Sequence, residues 1–258
     1  MLREVSDTRR FITSIAFLAA FFGTTVLRFY PSWFDQPVAK VLNNFAVGHR
    51  FATDMAHGTA YPTLQGMIVL SLLWYCWFSD PGPELRARLV GCAGAAVIAG
   101  LIAHLLRYTI SPTFRPIFDP LLQLHSPGVL GDIDALRANF NLPAFPSERA
   151  TMFAGLAMAI FLVRRDVGLL ALGCTATVEF SRIYLGLHYL MDIMGSFSLA
   201  AAVVWFFSQL RWGLELGRPF IRWERASPST FYVCAFLASF QMTTAFEDLR
   251  ALGRSFFA

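Results

Sequence analysis

The run Ser181-Arg182-x5-His188-x3-Asp192 gathers, at fixed offsets, residue types that handle phosphate. A carboxylate four residues beyond a histidine falls on the same face of a helix. It can hold one imidazole nitrogen by hydrogen bond and leave the other free as a nucleophile or base. Arg182 adds a planar guanidinium fork that matches phosphate oxygens. The plain alternative is a structural histidine–aspartate pair near a helix end, with Arg182 snorkelling to an interface. The Ser-Arg pair at its fixed offset weighs against that alternative. Two further groups lie upstream: Arg107 with the pair Arg115-Pro116, and Pro146-Ser147-Glu148-Arg149 at the start of an apolar run. Ser147 would head a helix whose N-terminal amides and dipole favour an anion. The chemistry suggested is phosphate binding beside an oriented nucleophile or base.

The elements that must position these residues are hydrophobic. Of 258 residues, 56% are apolar and 15% charged, against roughly 25% charged in a typical soluble domain, and mean hydropathy is +0.52. So few charges leave too little polar surface for water and point to lipid. The 26 phenylalanines suit lipid-facing surfaces and interfacial belts. The net charge of +4 is carried by arginine, with Lys40 the single lysine. The arginines sit mostly at the ends of apolar runs and not on one soluble face, so no nucleic-acid partner is expected. Cys76, Cys92, Cys174 and Cys234 fall inside apolar runs and read as buried thiols, with neither metal-ligand spacing nor a disulfide framework. No metal and no cofactor is expected.

A spanning helix needs about 20 mostly apolar residues. Six stretches qualify: Phe11 to Arg28, Tyr61 to Phe78, Leu89 to Tyr108, Ser147 to Val163, Val167 to Leu187 and Tyr189 to Leu210. The first reads as an uncleaved anchor, because no clear small-x-small site follows it; a cleaved signal peptide is the competing reading. Arg211 to Arg225 is basic and Trp-bearing and reads as an interfacial segment. Phe231 to Phe246 is apolar but short, either a seventh span or a re-entrant or surface helix. The expected fold is all-α: a polytopic membrane helix bundle with a six-helix core in residues 1–226 and a C-terminal hydrophobic segment in 227–258.

Placing Arg3, Arg9, Arg10, Arg86, Arg88, Arg164, Arg165, Arg211, Arg218, Arg222 and Arg225 in the cytoplasm satisfies the positive-inside rule. The N-terminus is then cytoplasmic. Pro31 to Ala60, the long loop 109–146 and the turn near His188 face outward. Arg107, Arg115, Arg149 and Arg182 break the trend on that side and need another reason to be there. The long loop carries Asp119, Asp132, Asp134 and His125, and its aromatic and apolar residues point to a packed cap.

Ser181 to Asp192 resembles the third motif of the type 2 phosphatidic acid phosphatases, a family related in fold to the vanadium haloperoxidases. That motif, Ser-Arg-x5-His-x3-Asp, is matched in full, and Gly186 and Tyr189 suit its usual spacing. The first family motif, Lys-x6-Arg-Pro, is matched at Arg115-Pro116; Tyr108 stands at the lysine position, with Arg107 as the cationic stand-in. The second, Pro-Ser-Gly-His, corresponds to Pro146-Ser147-Glu148-Arg149, and the similarity runs from about Tyr61 to Leu210 in segment order. The resemblance implies phosphoryl transfer through a phosphohistidine without a metal. His188 would attack phosphorus and Asp192 would orient it. Arg107, Arg115, Ser147, Ser181 and Arg182 would hold the phosphate oxygens. It also implies a bacterial inner-membrane enzyme whose site faces the periplasm, with a lipid phosphate or diphosphate and membrane lipids as partners.

Arg149 departs from the family, whose histidine there protonates the leaving group. Arginine keeps its proton at any relevant pH, and positioned acid–base catalysis is typically worth roughly 10²–10⁴-fold. The loss matters less when a phosphate leaves, since a phosphate monoester has a second pKa near about 6. Arg149 could stabilise that departing charge, which places it beside His188 and Asp192 as a catalytic residue. The sequence therefore favours a polyprenyl-diphosphate-type donor, with hydrolysis and transfer to a second acceptor both open. A reading of a different class is a non-catalytic lipid-phosphate binder that kept the fold and lost the acid; the retained His188, Asp192, Arg182 and Arg115 speak against it. His104 is either a substitute proton donor or a histidine bonded to a neighbouring helix. Glu179 is either a functional intramembrane acid or a structural partner of Arg182. Glu148 reads as a helix N-terminal acid, and His57 and His125 receive no role.

Overall fold

A computed structural model of the chain describes residues 7–79, 82–110, 114–125, 130, 143–209, 212–246 and 249. Among them the regular structure is helical: α1 (Asp7–Phe29), α2 (Asp35–Gly48), α3 (Arg50–Thr59), α4 (Pro62–Phe78), α5 (Pro83–Ile110), α6 (Glu148–Val163), α7 (Arg165–Tyr184), α8 (Leu190–Gln209), α9 (Trp212–Ala226) and α10 (Pro228–Thr243). The protein is the all-α membrane bundle its composition implies. Ile12–Phe29 of α1, all of α5 and all of α8 are long and apolar enough to cross a membrane, and Thr63–Phe78 is a shorter apolar helix.

Small side chains set the centre of the bundle. Ala95, Ala96 and Ala99 of α5 are buried against α6, which contributes Ala154, Gly155 and Ala157. A Cβ on Gly155 would fall 2.8 Å from the Ala96 Cβ, so only glycine permits this backbone approach. Helices surrounded by lipid associate through such close contacts, because burial against lipid tails supplies no hydrophobic drive. α1 lies along α8, α9 along α5, and α7 along α6. α10 runs antiparallel to α4: Phe231 near its start stacks on Trp77 at 5.7 Å. Near its other end, a Cβ on Gly66 would meet Thr243 Cα at 2.7 Å. α10 therefore covers the depth of α4 with its 16 residues.

Several boundaries differ from those read in the sequence. The fifth apolar run was expected to reach Leu187, but α7 ends at Tyr184. Gly186 takes a left-handed backbone with φ +75°. Leu187 N–H then bonds Arg182 O and Gly186 N–H bonds Ile183 O, each at 2.9 Å, the glycine-terminated closure common at helix ends. Pro31 to Ala60 contains two helices that the sequence reading did not name. They form because Asp35, Ala39 and Asn43 recur at fourfold spacing on one buried face of α2, while Val41, Phe45, Phe51 and Met55 stay exposed. The cap is built as expected over 114–125, where Ile117, Phe118 and Leu122 are buried. Asn43 fastens it, donating to His125 O at 2.7 Å and accepting from His125 N at 3.0 Å. Asp132 and Asp134 lie outside the described residues. The cysteine expectation needs correction: Cys76 and Cys92 are buried, but Cys174 is half-buried and Cys234 exposed. Cys234 sits on the outward stripe of α10, beside exposed Val233 and Leu237.

Candidate active site

One end of the bundle gathers the C-terminal ends of α1, α5 and α7 with the N-terminal ends of α6 and α8. His188 stands in the turn that follows Gly186, before α8 begins at Leu190. His188 and Asp192 therefore do not share a helix face in the way their spacing suggests. Asp192, in the first turn of α8, reaches back instead. Its Oδ2 accepts the Tyr189 N–H at 2.9 Å, as an acid at this position of a capping box does. The same oxygen stands 3.5 Å from His188 Nδ1. Both residues are buried, His188 to 3% exposure and Asp192 to 0%.

Arg115 fixes the other side of the ring. Its NH1 donates to Leu187 O at 2.7 Å and lies 3.2 Å from His188 Nε2. A guanidinium has only donors, so Nε2 is the acceptor and the imidazole proton belongs on Nδ1, facing Asp192. Burial first, and then the Arg115 and Arg182 charges, push the imidazole down to about 3. His188 is thus neutral at ordinary pH, with the lone pair of Nε2 turned toward cations.

Those cations come from four separate elements. Burial, followed by the repulsion of Arg182, pulls Arg115 down to about 9, with Arg107 and Arg149 acting in the same sense. Arg107 at the end of α5, Arg149 at the start of α6 and Arg182 at the end of α7 are thus all within electrostatic reach of Arg115 in the cap. Such a cluster is costly to desolvate, and Glu179 beside Arg182 and Glu148 beside Arg107 offset part of its charge. Ser147 caps α6, its Oγ accepting from Ala150 N at 3.5 Å. Its own N–H donates to Ser196 Oγ at 2.8 Å, and Ser196 donates to Asp192 O at 2.6 Å. The N-terminus of α6 is thereby locked to the helix that carries Asp192.

The remaining sequence-derived residues fall in distinct places. Arg182 pairs with Glu179 at 3.4 Å, and Gln65 donates to the same carboxylate at 3.0 Å. Glu179, wholly buried, is therefore the partner of Arg182. Ser181 differs from expectation. Its hydroxyl meets Thr59 Oγ1 at 2.7 Å and donates to Thr177 O at 3.1 Å. Adjacent residues on a helix point about 100° apart, so with Arg182 aimed at the site Ser181 faces α3. His104 Nδ1 bonds Glu148 Oε2 at 2.8 Å, with Arg107 NH2 3.1 Å from the same nitrogen and 3.7 Å from the same oxygen. Of the two readings of His104, the bond to a neighbouring helix is present, and Glu148 does more than end a helix.

Two residues escaped the sequence reading. Arg28, at the end of α1, donates from Nε to Asp192 Oδ1 at 2.8 Å and lies 4.3 Å over the Tyr189 ring. Asp35, at the start of α2, accepts the Met191 N–H at 3.0 Å and stands 4.0 Å from Arg28 Nε. Burial pushes the Asp35 carboxyl up to about 6, against the Met191 hydrogen bond. The signal for Arg28 was present: it ends an apolar run on the side where the positive-inside rule would not expect arginine, like the four arginines already singled out.

This geometry defines a class: a membrane helix bundle with arginines gathered about a neutral, oriented histidine. Residues 88–215 match the family model of the PAP2 superfamily, and through this segment the chain belongs to that superfamily. The segment holds Arg107, Arg115, Ser147, Arg149, Arg182, His188 and Asp192, and leaves out Arg28 and Asp35. The protein thus has the membrane lipid phosphatase fold of that family. The crystal structure of the first transmembrane PAP2 type phosphatidylglycerolphosphate phosphatase from Bacillus subtilis is similar at 17% identity and a TM-score of 0.48, covering 76% of this chain and 94% of that one. No curated protein sequence matches the chain.

Proposed function

We propose that the protein is a phosphatase or phosphotransferase for a lipid diphosphate of the polyprenyl type, working through a phosphohistidine on His188. The observation that carries the reading is the held tautomer: Nε2 accepts from Arg115 at 3.2 Å while Nδ1 faces Asp192. An arriving phosphate oxygen is a charged acceptor and competes well for the Arg115 donor, which frees Nε2. Nε2 then attacks the terminal phosphorus. The bond from that phosphorus to the bridging oxygen breaks, and the lipid monophosphate departs with the oxygen and its charge. Arg107, Arg115 and Arg182 hold the transferring group with the amides of Ser147 and its helix, and Glu179 seats Arg182. Arg149 meets the departing phosphate, where a fixed cation stabilises developing charge. Water, or a second acceptor substrate, then attacks the phosphohistidine and restores His188. Asp192 keeps the ring oriented and balances its charge throughout.

The positive-inside distribution supports an N-terminus in the cytoplasm and a site at the periplasmic surface of an inner membrane. α10, running beside α4, is read as a seventh span appended to a six-span core. The test is incubation of purified protein with polyprenyl diphosphate labelled in its terminal phosphate, with and without added membrane lipids. Labelled inorganic phosphate identifies a phosphatase, and label moved to another lipid identifies a transferase. Label that remains wholly on the donor in both conditions contradicts the reading.

A further inference from the structure

Asp192 divides its two oxygens between different tasks. Oδ2 serves the Tyr189 N–H at 2.9 Å and faces His188 Nδ1 at 3.5 Å, while Oδ1 takes the Arg28 Nε–H at 2.8 Å. The carboxylate is 0% exposed, so water does not solvate it. A terminal carboxylate torsion is broad and roughly two-fold; only partners on both oxygens hold one of them against the imidazole. Arg28 is itself held from several sides. It lies 4.3 Å over the Tyr189 ring and its NH2 reaches Phe114 O at 3.4 Å. Asp35 stands 4.0 Å away and is anchored on the Met191 N–H at 3.0 Å. Tyr189 in turn donates its hydroxyl to Asp119 at 2.7 Å. The corner between α1 and α2 is thus pinned to the first turn of α8, 164 residues away along the chain.

We infer that Arg28 is a positioning residue for the phosphoryl-transfer histidine, acting through Asp192, with Asp35 seating Arg28. This rests on the proposed role of His188 and deepens it: the orienting machinery extends beyond the segment shared with the superfamily into α1 and α2. Two physical effects combine. The guanidinium keeps a buried carboxylate ionised, because a desolvated charge persists only when paired. It also fixes the rotation of that carboxylate, so that Oδ2 faces the imidazole proton. Without Arg28, Oδ2 is no longer held against Nδ1 and the ring loses its orienting partner on that side, while Arg115 and the other phosphate-binding arginines stay in place.

The expected kinetic result is therefore a split. Arg28→Gln lowers kcat on a lipid diphosphate by roughly ten- to a hundred-fold, the range of a hydrogen bond to a charged group, and leaves KM within about threefold. Arg28→Lys keeps the charge without the Nε donor and recovers part of the loss. Removing Arg28 in an Asp192→Asn background adds little, because both substitutions break one linkage. Asp35→Asn still accepts from Met191 N–H, so it serves if Arg28→Gln folds poorly; it gives a smaller loss of the same kind. The second readout is independent of turnover: nitrogen NMR of protein labelled at its five histidines, with the His188 signal assigned by its absence in His188→Ala. Wild-type protein shows a single neutral tautomer protonated on Nδ1, and in Arg28→Gln the Nδ1 resonance shifts as Asp192 Oδ2 turns away from it, while Nε2 stays unprotonated against Arg115. An unchanged His188 signal in Arg28→Gln, or losses that multiply in the double variant, overturns the inference. A wild-type protein inert toward every lipid phosphate overturns the proposed reaction instead, and the imidazole signal still decides the role of Arg28.

Discussion

Arg115 NH1 stands 3.2 Å from His188 Nε2 and is anchored to Leu187 O at 2.7 Å by the same nitrogen. On the proposed mechanism, the nucleophile and its phosphate clamp therefore touch before substrate arrives. A phosphate entering between them finds a donor already aimed and a lone pair uncovered as the donor transfers to it. Preorganisation of this kind removes reorganisation from the reaction step.

His188→Ala abolishes turnover and spares the fold, since one imidazole at the end of the bundle contributes little packing. Asp192→Asn reduces turnover strongly but incompletely, and takes from the buried Arg28 the nearer of its two carboxylate partners, at a cost of up to roughly 3 kcal/mol. Phosphate release and thermal unfolding, measured on the same preparations, separate the two effects. Full activity in His188→Ala contradicts the phosphohistidine.

Arg149 decides substrate class. Lipid diphosphates react much faster than lipid monophosphates, whose departing alkoxide needs a proton. Arg149→Ala slows diphosphate turnover, and Arg149→His restores monophosphate cleavage by up to the roughly 10²–10⁴-fold that general acid catalysis supplies. Equal wild-type rates on both substrate classes, with Arg149→Ala harmless, show the position has been misread.

The pair His104–Glu148 offers the competing source of a proton, because Nδ1 is held at 2.8 Å and the ring is part-exposed. With Arg149 meeting a phosphate leaving group, His104→Ala leaves diphosphate turnover within about threefold. Efficient monophosphate cleavage by wild-type protein, stopped by His104→Ala, assigns the acid to this pair.

The third motif was legible because its residues form one contiguous stretch, Ser181 to Asp192, from the end of α7 to the first turn of α8, and Ser147 as an N-cap follows from local physics alone. The membrane helices were legible from length and apolarity. Asp35 and Asn43 were not, since each finds its partner across the bundle and carries no local pattern, and Arg28 showed only its place at the end of an apolar run, with nothing local to point to Asp192. α2 and α3 were missed for a related reason: they are short, and one face of each is exposed and apolar. Ser181 shows the opposite failure, a motif position whose hydroxyl points to Thr59.

Asp35 gives a pH signature in stability. Its carboxyl rises from 3.8 in the unfolded chain to about 6 in the fold, so between those values the native state binds the extra proton. Stability therefore falls as pH rises through that window and levels above about 6. His188, pushed down to about 3 from 6.5, acts with the opposite sign in both wild type and an Asp35 variant. Asp35→Asn consequently gains thermal stability relative to wild type as pH moves from 4 toward 7 (pH settings about one unit apart suffice). A constant difference between the two proteins contradicts the burial cost assigned to Asp35.

The central claim is that His188 takes the terminal phosphoryl group of a lipid diphosphate. Rapid acid-free quenching of wild-type protein mixed with polyprenyl diphosphate labelled in its terminal phosphate tests it directly. The account predicts a labelled protein whose phosphate survives base and is lost in acid, located on His188 by peptide mapping and absent from His188→Ala. Label retained in His188→Ala, or steady turnover by wild type with label found on another residue, contradicts it.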